Sequence, residues 1–511
     1  MRTLLKLGTV VVAVVVAMGV VSCHKSPDVV VQKAMDQSSA LCAQGQAEAA
    51  VAVLRRVYDN KDCAAYRQRL LGAMLSINLS TGRVESAQSL FREVVAVAPD
   101  EAASVIGMIE QSLFNGGRFD DLATWCASLQ SMAFKDAPLT AIADYHLKAL
   151  EAAGKLGDVV KVLPGYVSRL PEAAGLGLIE RQFALLMRTK NFEAANELVA
   201  LVSGGTTSPA RIGLAARMRV DLLVVQGKRA DAESFFKQQA ATWPETDASA
   251  ILRRLVDCAN RERQAGASDA LCRFVLDAVK DRPVLRDTAG EIWVANAQAL
   301  GSVNGVVERL VGLRKDGLKP AFLAGQVDRQ YGFIMERGAK PQFGPLLDLC
   351  QSFVAELNDD DRARVSSIML DFCFYLERFD TALAIVEKGI PGRDEKWKKT
   401  LAAKVRGHLL LQQGKPHEAV ASFREFMGYI AKEEGDQIDP IKGTRVTKEM
   451  ILGLNAKRIG DILAGAADKE GAAKAYQEAR DDYTTALKSF AENSAEYAKL
   501  KADIAAIPTS P

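Results

Sequence analysis

Four histidines (His24, His146, His408 and His417) and eight cysteines are the side chains of this 511-residue chain best suited to metal or nucleophilic chemistry. Zinc hydrolysis wants two histidines one helical turn apart with a glutamate between them, and no two of the four are so spaced. The chain contains no Cys-x-x-Cys pair, no phosphate-cradling Gly-x-x-x-x-Gly-Lys and no Gly-x-Ser-x-Gly elbow. Gly175-Leu-Gly177 lacks the rest of a dinucleotide fingerprint and reads as a helix boundary. The run Asp359-Asp360-Asp361 falls at a hydrophilic turn and reads as a solvated helix start, where acidic residues suit the helix dipole. Carboxylate pairs distant in sequence leave no local trace. The expectation is a chain with no catalytic residues, no metal site and no cofactor.

Cys23 is the exception. Met1 to Lys6 form a short basic start, and an apolar run follows from Leu7 to Val21, too short and too soon interrupted for a membrane span. Val20-Val21-Ser22-Cys23 resembles the bacterial lipobox. That resemblance implies that residues 1–22 are a removed signal peptide and that Cys23 becomes the N-terminus, carrying acyl chains such as palmitate. Each buried methylene contributes about 0.8 kcal/mol, and more than one chain makes the anchor firm. His24 stands where aspartate would signal inner-membrane retention, which favours the outer membrane, facing the periplasm.

The other seven cysteines are an odd number, so at least one lacks an internal partner. Cys42 with Cys63, Cys258 with Cys272, and Cys350 with Cys373 are spaced for adjacent helices. Each pair reads either as a disulfide of an oxidising compartment or as two small core residues. Cys126 falls in a bulky core slot and is expected to be buried and inert.

What positions these residues is a repeat. Gly82-Arg-Val-Glu-Ser-Ala87-Gln-Ser-Leu-Phe91 returns as Gly227-Lys-Arg-Ala-Asp-Ala232-Glu-Ser-Phe-Phe236 and as Gly414-Lys-Pro-His-Glu-Ala419-Val-Ala-Ser-Phe423. Weaker copies put the anchor five residues after the turn at Ala50, Leu122, Val162, Ala195, Ala270, Val306, Phe343 and Ala382, with turns at Gly45, Gly117, Gly157, Lys190, Ala265, Gly301, Gly338 and Glu377. The mean interval is about 37 residues, and a degenerate copy follows at Ala472 and Tyr476. Each unit reads as two antiparallel helices joined at a turn that wants a left-handed residue. The small residue lets backbones approach, and the bulky one a turn later fills the groove toward the next hairpin. One hairpin cannot cover its own apolar face, so the array is stable only when stacked.

This pattern is similar to the tetratricopeptide repeat, to which the upstream glycines Gly407 (before Phe423) and Gly460 (before Tyr476) also conform. The chain departs from that family in its spacing, 33 to 40 residues, and in several missing turn glycines. The resemblance implies an all-α, right-handed α-solenoid of about twelve antiparallel helix pairs with a C-terminal capping helix over Leu487–Ile507. It also implies a concave groove that binds peptides or proteins. Carried over by register, the groove positions are Arg217 and Asp221, Lys404 and His408, and Lys457 and Asp461, with Gln111 and Asp371 in single slots. Arg217 with Asp221 and Lys457 with Asp461 also read as simple i, i+4 ion pairs.

Along the chain this gives a signal peptide (1–22), a tether (23–28), the solenoid (29–430), a polar insertion loop (431–447), and the last repeat with its cap (448–511). Arg2 and Lys6 account for the formal charge of +2, and residues 1–22 contain no acid, so the remainder is balanced and nucleic acid is not expected as a partner. Aromatics are only 6%, which speaks against a sugar-stacking surface; Trp125, Trp243, Trp293 and Trp397 read as packing residues near helix ends. The expected role is a non-enzymatic, lipid-anchored scaffold holding envelope proteins for assembly, secretion or wall synthesis. The rival reading is a helical carbohydrate-capture lipoprotein serving an outer-membrane transporter.

Overall fold

Helix formers dominate this chain and proline is sparse, so once a turn is set each helix runs on until the next. The computed structural model describes residues 26–97, 102–130, 132, 134, 136–204, 207–433, 437–438 and 445–509. The lipobox and its leader lie outside the described residues, as does most of the expected insertion loop. Two compact units divide the chain, one through Gln226 and one from Gly227.

In the first unit the pairs are α1 (Pro27–Ala43) with α2 (Ala47–Tyr58), α3 (Arg67–Ser80) with α4 (Val84–Val97), and α5 (Ala102–Asn115) with α6 (Phe119–Gln130). Then come α7 (Asp136–Ala152) with α8 (Leu156–Val167), α9 (Glu172–Arg188) with α10 (Phe192–Ser203), and α11 (Pro209–Val225). The second unit opens on α12 (Arg229–Gln239) and continues through α13 (Glu245–Arg261) with α14 (Ala265–Ala278), α15 (Pro283–Ala299) with α16 (Val303–Lys315), and α17 (Pro320–Arg337) with α18 (Lys340–Phe353). It ends with α19 (Asp359–Leu376) and α20 (Phe379–Lys388), α21 (Glu395–Gln412) and α22 (Pro416–Ile430), α23 (Lys448–Gly465) and α24 (Lys469–Leu487), and α25 (Ala495–Ala505). Within each unit a helix packs mainly on the next helix and the next but one, as stacked hairpins must. The fold class is therefore the expected one: all-α, antiparallel helix pairs in chain order, closed by a short cap. That cap, α25, begins at Ala495 instead of Leu487, because Ser494 accepts a hydrogen bond from the Tyr497 amide and starts a new helix there.

The turns inside the pairs are more regular than the residues at them. Gly45, Gly82, Gly117, Gly154, Lys190, Gly227, Arg263, Gly301, Glu377, Gly414 and Ala467 all have φ between 58° and 74°. At all of these but Gly227, the following residue donates its amide to a carbonyl five positions back, as Arg83 does to Asn78 at 2.7 Å and Gln264 to Ala259 at 2.8 Å. Two registers read from sequence are corrected by this. The turn read at Ala265 is made by Arg263, so the buried small and bulky slots are Ser268 and Cys272, while Ala270 is exposed and Phe274 half-buried. The turn read at Gly157 is made by Gly154, which puts Val159 and Leu163 in the core and leaves Val162 half-buried. A left-handed φ is a property of the backbone, and lysine or arginine can be forced into it by the hairpins on either side.

Side chains one repeat apart meet. Arg55 pairs with Glu93 at 2.7 Å, Arg181 with Asp144 at 2.6 Å, and Arg217 with Glu180 at 3.6 Å. In the second unit Glu291 takes Arg253 (2.8 Å) from one side and Arg329 from the other. The polar break after α22 holds a two-residue antiparallel pairing, Gln437–Ile438 with Arg445–Val446, within the segment expected to be plain loop. Among the described residues no helix is long and apolar enough to cross a membrane.

Candidate functional site

The first helices of four successive pairs in the second unit, α17, α19, α21 and α23, line a cavity of about 990 Å³. Asp371 on α19, and Lys404 and His408 on α21, project into it. These are three of the eight groove positions expected from the repeat register. Lys457 and Asp461 are not in the lining: they form the i, i+4 pair at 2.8 Å, and Asp461 also accepts the Tyr476 hydroxyl at 2.9 Å. Arg458, one residue on, occupies the wall instead. Arg217 and Asp221 belong to the first unit, on α11, where Arg217 reaches Glu180. Gln111 is exposed on α5.

Local sequence explains the wall. On α23 the residues Ile451, Leu454, Asn455 and Arg458 recur at i, i+3, i+4 and i+7, one stripe of a helix. The stripe on α21 is Trp397, Thr400, Leu401, Lys404, His408 and Leu411. Trp397 thus lines the cavity, contrary to its expected role as a packing residue, and Trp125 lies within the body of α6 instead of at its end.

The lining is cationic and aromatic together. The Lys404 ammonium lies 5.1 Å from the ring centre of Phe374 and 5.9 Å from that of Phe426. Burial pulls its pKa below the usual lysine value, Arg458 pushes the same way, and Asp371 opposes both. His408 stacks on Phe379 with ring centres 4.7 Å apart. Burial, then Arg458 and Lys404, bring its pKa down to about 4, so the ring is neutral near pH 7. Arg458 lies 3.2 Å from His408 Nε2, and since a guanidinium only donates, Nε2 accepts and the imidazole proton sits on Nδ1. Across the cavity Tyr331 donates its hydroxyl to Asp371, whose pKa is raised by burial despite that bond and Lys404. Glu377 and Glu433, also lining, are held by Lys340 (2.7 Å) and Lys396 (3.7 Å).

A second polar cluster is buried in the first unit. Glu110 on α5 is fully buried, with Cys126 donating its thiol to Oε1 at 3.5 Å and Oε2 left without a partner. Desolvation raises Glu110 to about 8. His146 Nδ1 and the Tyr166 hydroxyl meet at 2.9 Å nearby in sequence order, on α7 and α8. Among the described residues these side chains are all at most 3% exposed. The seven described cysteines are all free; both members of the Cys258–Cys272 and Cys350–Cys373 pairs are buried, whereas Cys42 is only half-buried and its spaced partner Cys63 is buried. Among the described residues no group of three His, Cys, Asp or Glu side chains is placed to hold a metal ion.

No protein-family model matches this chain, and no curated protein matches it. Among solved structures it is similar to one titled as Naa15/Naa10 bound to HypK-THB, at 12% identity over 94% of this chain and 73% of that one, with a TM-score of 0.29. Another is yeast Tom70, at 11% identity over 86% of this chain and 97% of that one, with a TM-score of 0.22.

Proposed function

We propose that this chain is a non-enzymatic, lipid-anchored scaffold of the bacterial envelope that holds partner proteins along the first helices of its hairpins. The observation that carries this reading is the row of charged residues recurring along those helices, where each pairs with a residue one repeat away. In the first unit the row comprises Asp144, Glu180, Arg181 and Arg217, and in the second Arg253, Glu291, Asp328, Arg329 and Arg364. Each pair links consecutive repeats yet stays partly exposed, which leaves a polar face able to exchange internal ion pairs for those of a partner. Support for the anchor and the outer-membrane address comes from Val20-Val21-Ser22-Cys23 and His24.

Two measurements test it. Mass spectrometry of the mature N-terminus is expected to find acylated Cys23; an unmodified thiol would remove the anchor. Affinity capture from solubilised membranes is expected to recover an envelope protein, and charge reversal at Arg253 and Arg329 to release it. Enrichment of glycans with no protein partner would favour the carbohydrate-capture reading.

A further inference from the structure

Glu110 and Cys126 break a pairing that the other hairpins keep free of charge. In each hairpin the residue seven before the left-handed turn stands on the first helix, and the residue nine after it on the second. At Gly82 these are Leu75 and Phe91, at Arg263 Val256 and Cys272, and at Gly414 Gly407 and Phe423. At the other ten turns of this kind the earlier residue is uncharged, and at Gly117 it is Glu110. A carboxyl thus occupies core that neighbouring hairpins fill with hydrocarbon, and the small Cys126 faces it where Phe91 and Phe423 stand in theirs.

Both side chains are fully buried. Cys126 Sγ donates to Glu110 Oε1 at 3.5 Å, and Oε2 has no partner among the described residues. Glu110 lies eight residues into α5, about 12 Å along its axis, so its neighbours come from the bodies of α6 and α7. On α7 Asp144 opposes ionisation of the carboxyl and Lys148 favours it, while burial outweighs both. Tyr166 on α8, which meets His146 at 2.9 Å, also feels the charges of Glu110 and Cys126. The acids of α4 are engaged elsewhere, Glu85 with Arg118 and Glu93 with Arg55, and the two charged residues of α3 are Arg67, over Tyr58, and Arg69, on Gln32.

We propose that the α5–α6 hairpin is a proton-controlled joint of the first unit: with Glu110 protonated it stays stacked on α7 and α8, and ionisation of Glu110 opens it and bares Cys126. A carboxylate has no charged partner buried with it in that core, whereas water solvates it in the opened hairpin. In the closed hairpin the acid form persists up to about pH 8, against an ordinary value of 4.5. Between these values the closed state holds a proton that the opened state releases, so the opening constant rises about tenfold for each pH unit and levels off above 8. The joint adjoins the charged row of the first unit, because Asp144 also pairs with Arg181 on α9 at 2.6 Å. The inference does not depend on the scaffold reading, since it is read from thiol exposure and not from partner capture.

Burial pushes the Cys126 thiol up, so it reacts only from the opened hairpin. The test is labelling of the full chain with methyl methanethiosulfonate from about pH 6 to 8.5, read site by site by peptide mass spectrometry. Each rate is divided by that of the same thiol in the urea-unfolded chain at the same pH, which removes the pH dependence of thiolate formation and leaves the opening constant. For Cys126 this ratio is expected to rise about tenfold per pH unit up to about pH 7.5 and to flatten above 8. Cys63, buried in the same unit, and Cys272, which has the same place in its hairpin but Val256 instead of a glutamate, are expected to show no such rise. Glu110→Gln keeps the shape and cannot ionise, and is expected to hold the Cys126 ratio level across the range. Glu110→Leu, the residue type of Leu75 and Leu147 at that position, is expected to do the same, with circular dichroism confirming the fold of both. Tyr166→Phe, which removes the hydroxyl that meets His146, is expected to keep the slope. A flat Cys126 ratio in the unaltered chain, a slope that survives in either folded Glu110 variant, a slope lost in Tyr166→Phe, or a parallel rise at Cys63 would each overturn the proposal.

Discussion

The ring of Tyr476 on α24 lies against the α-carbon of Gly460 on α23, so closely that a Cβ at 460 would stand 2.5 Å from the ring's Cδ1 and Cε1. Gly407 and Phe423 repeat the relationship on α21 and α22, at 2.9 Å. Neither ring is free to withdraw, as both are buried in the hairpin core. Gly460→Ala is expected to destabilise by about 1–3 kcal/mol through overpacking, outweighing the roughly 1 kcal/mol that alanine contributes in an ordinary helix. Gly407→Ala should behave alike. Urea midpoints measure both; unchanged or raised midpoints would mean that the rings move aside.

Lys190 and Arg263 hold left-handed backbone conformations with φ of 58° and 59° at turns where other repeats use glycine. A side chain there costs about 1–2 kcal/mol, part of which glycine gives back through its more flexible unfolded chain. Lys190→Gly and Arg263→Gly are therefore expected to stabilise, each by about 0.5–1 kcal/mol. Thermal melts of the two variants and their combination check the sign.

Glu110 retains its proton up to about pH 8 in the fold, against an ordinary value of 4.5. The folded pKa is raised, so its contribution is fully present below about pH 4.5 and is lost as pH rises toward 8. Glu110→Gln is expected to flatten that slope and to raise stability at pH 8 by about 1–2 kcal/mol. His146 has the opposite sign: its pKa is lowered to about 4 by burial, so its contribution is present above about 6.5 and lost as pH falls toward 4. Denaturation series from pH 4 to 8 separate the two.

Glu291 joins Arg253 and Arg329, which lie one repeat before and one repeat after it. With all three partly exposed, Glu291→Ala is expected to cost about 1 kcal/mol at low salt and much less in 1 M NaCl. An undiminished loss at high salt would point to packing instead of charge.

Burial separates the seven described cysteines. In the folded chain a small thiol reagent is expected to modify Cys42 first, with the others reacting on denaturation. Recovery of fewer free thiols after unfolding would reveal a disulfide.

The period of about 37 residues, the hairpin turns and the buried small-plus-bulky pairs were legible in the sequence, because each repeat must bury the same stripe against its neighbour. That Asp371, Lys404 and His408 share one cavity follows from the same register, which puts fixed positions on the same face of successive first helices. Arg458 was not legible, because the offset assumes an unbroken array and residues 431–447 intervene before α23, so the neighbouring Lys457 was read in its place. Tyr331, Trp397 and Asn455 carry no local motif; only the approach of four helices puts an aromatic wall around two cations. The left-handed turns at Arg263 and Ala467 were equally hidden, since a backbone angle imposed by two packed helices leaves no mark on residue type. Periodic burial is thus written locally and repeats, whereas the charge balance and closure of the cavity arise from side chains far apart in the chain that meet only once the hairpins have stacked.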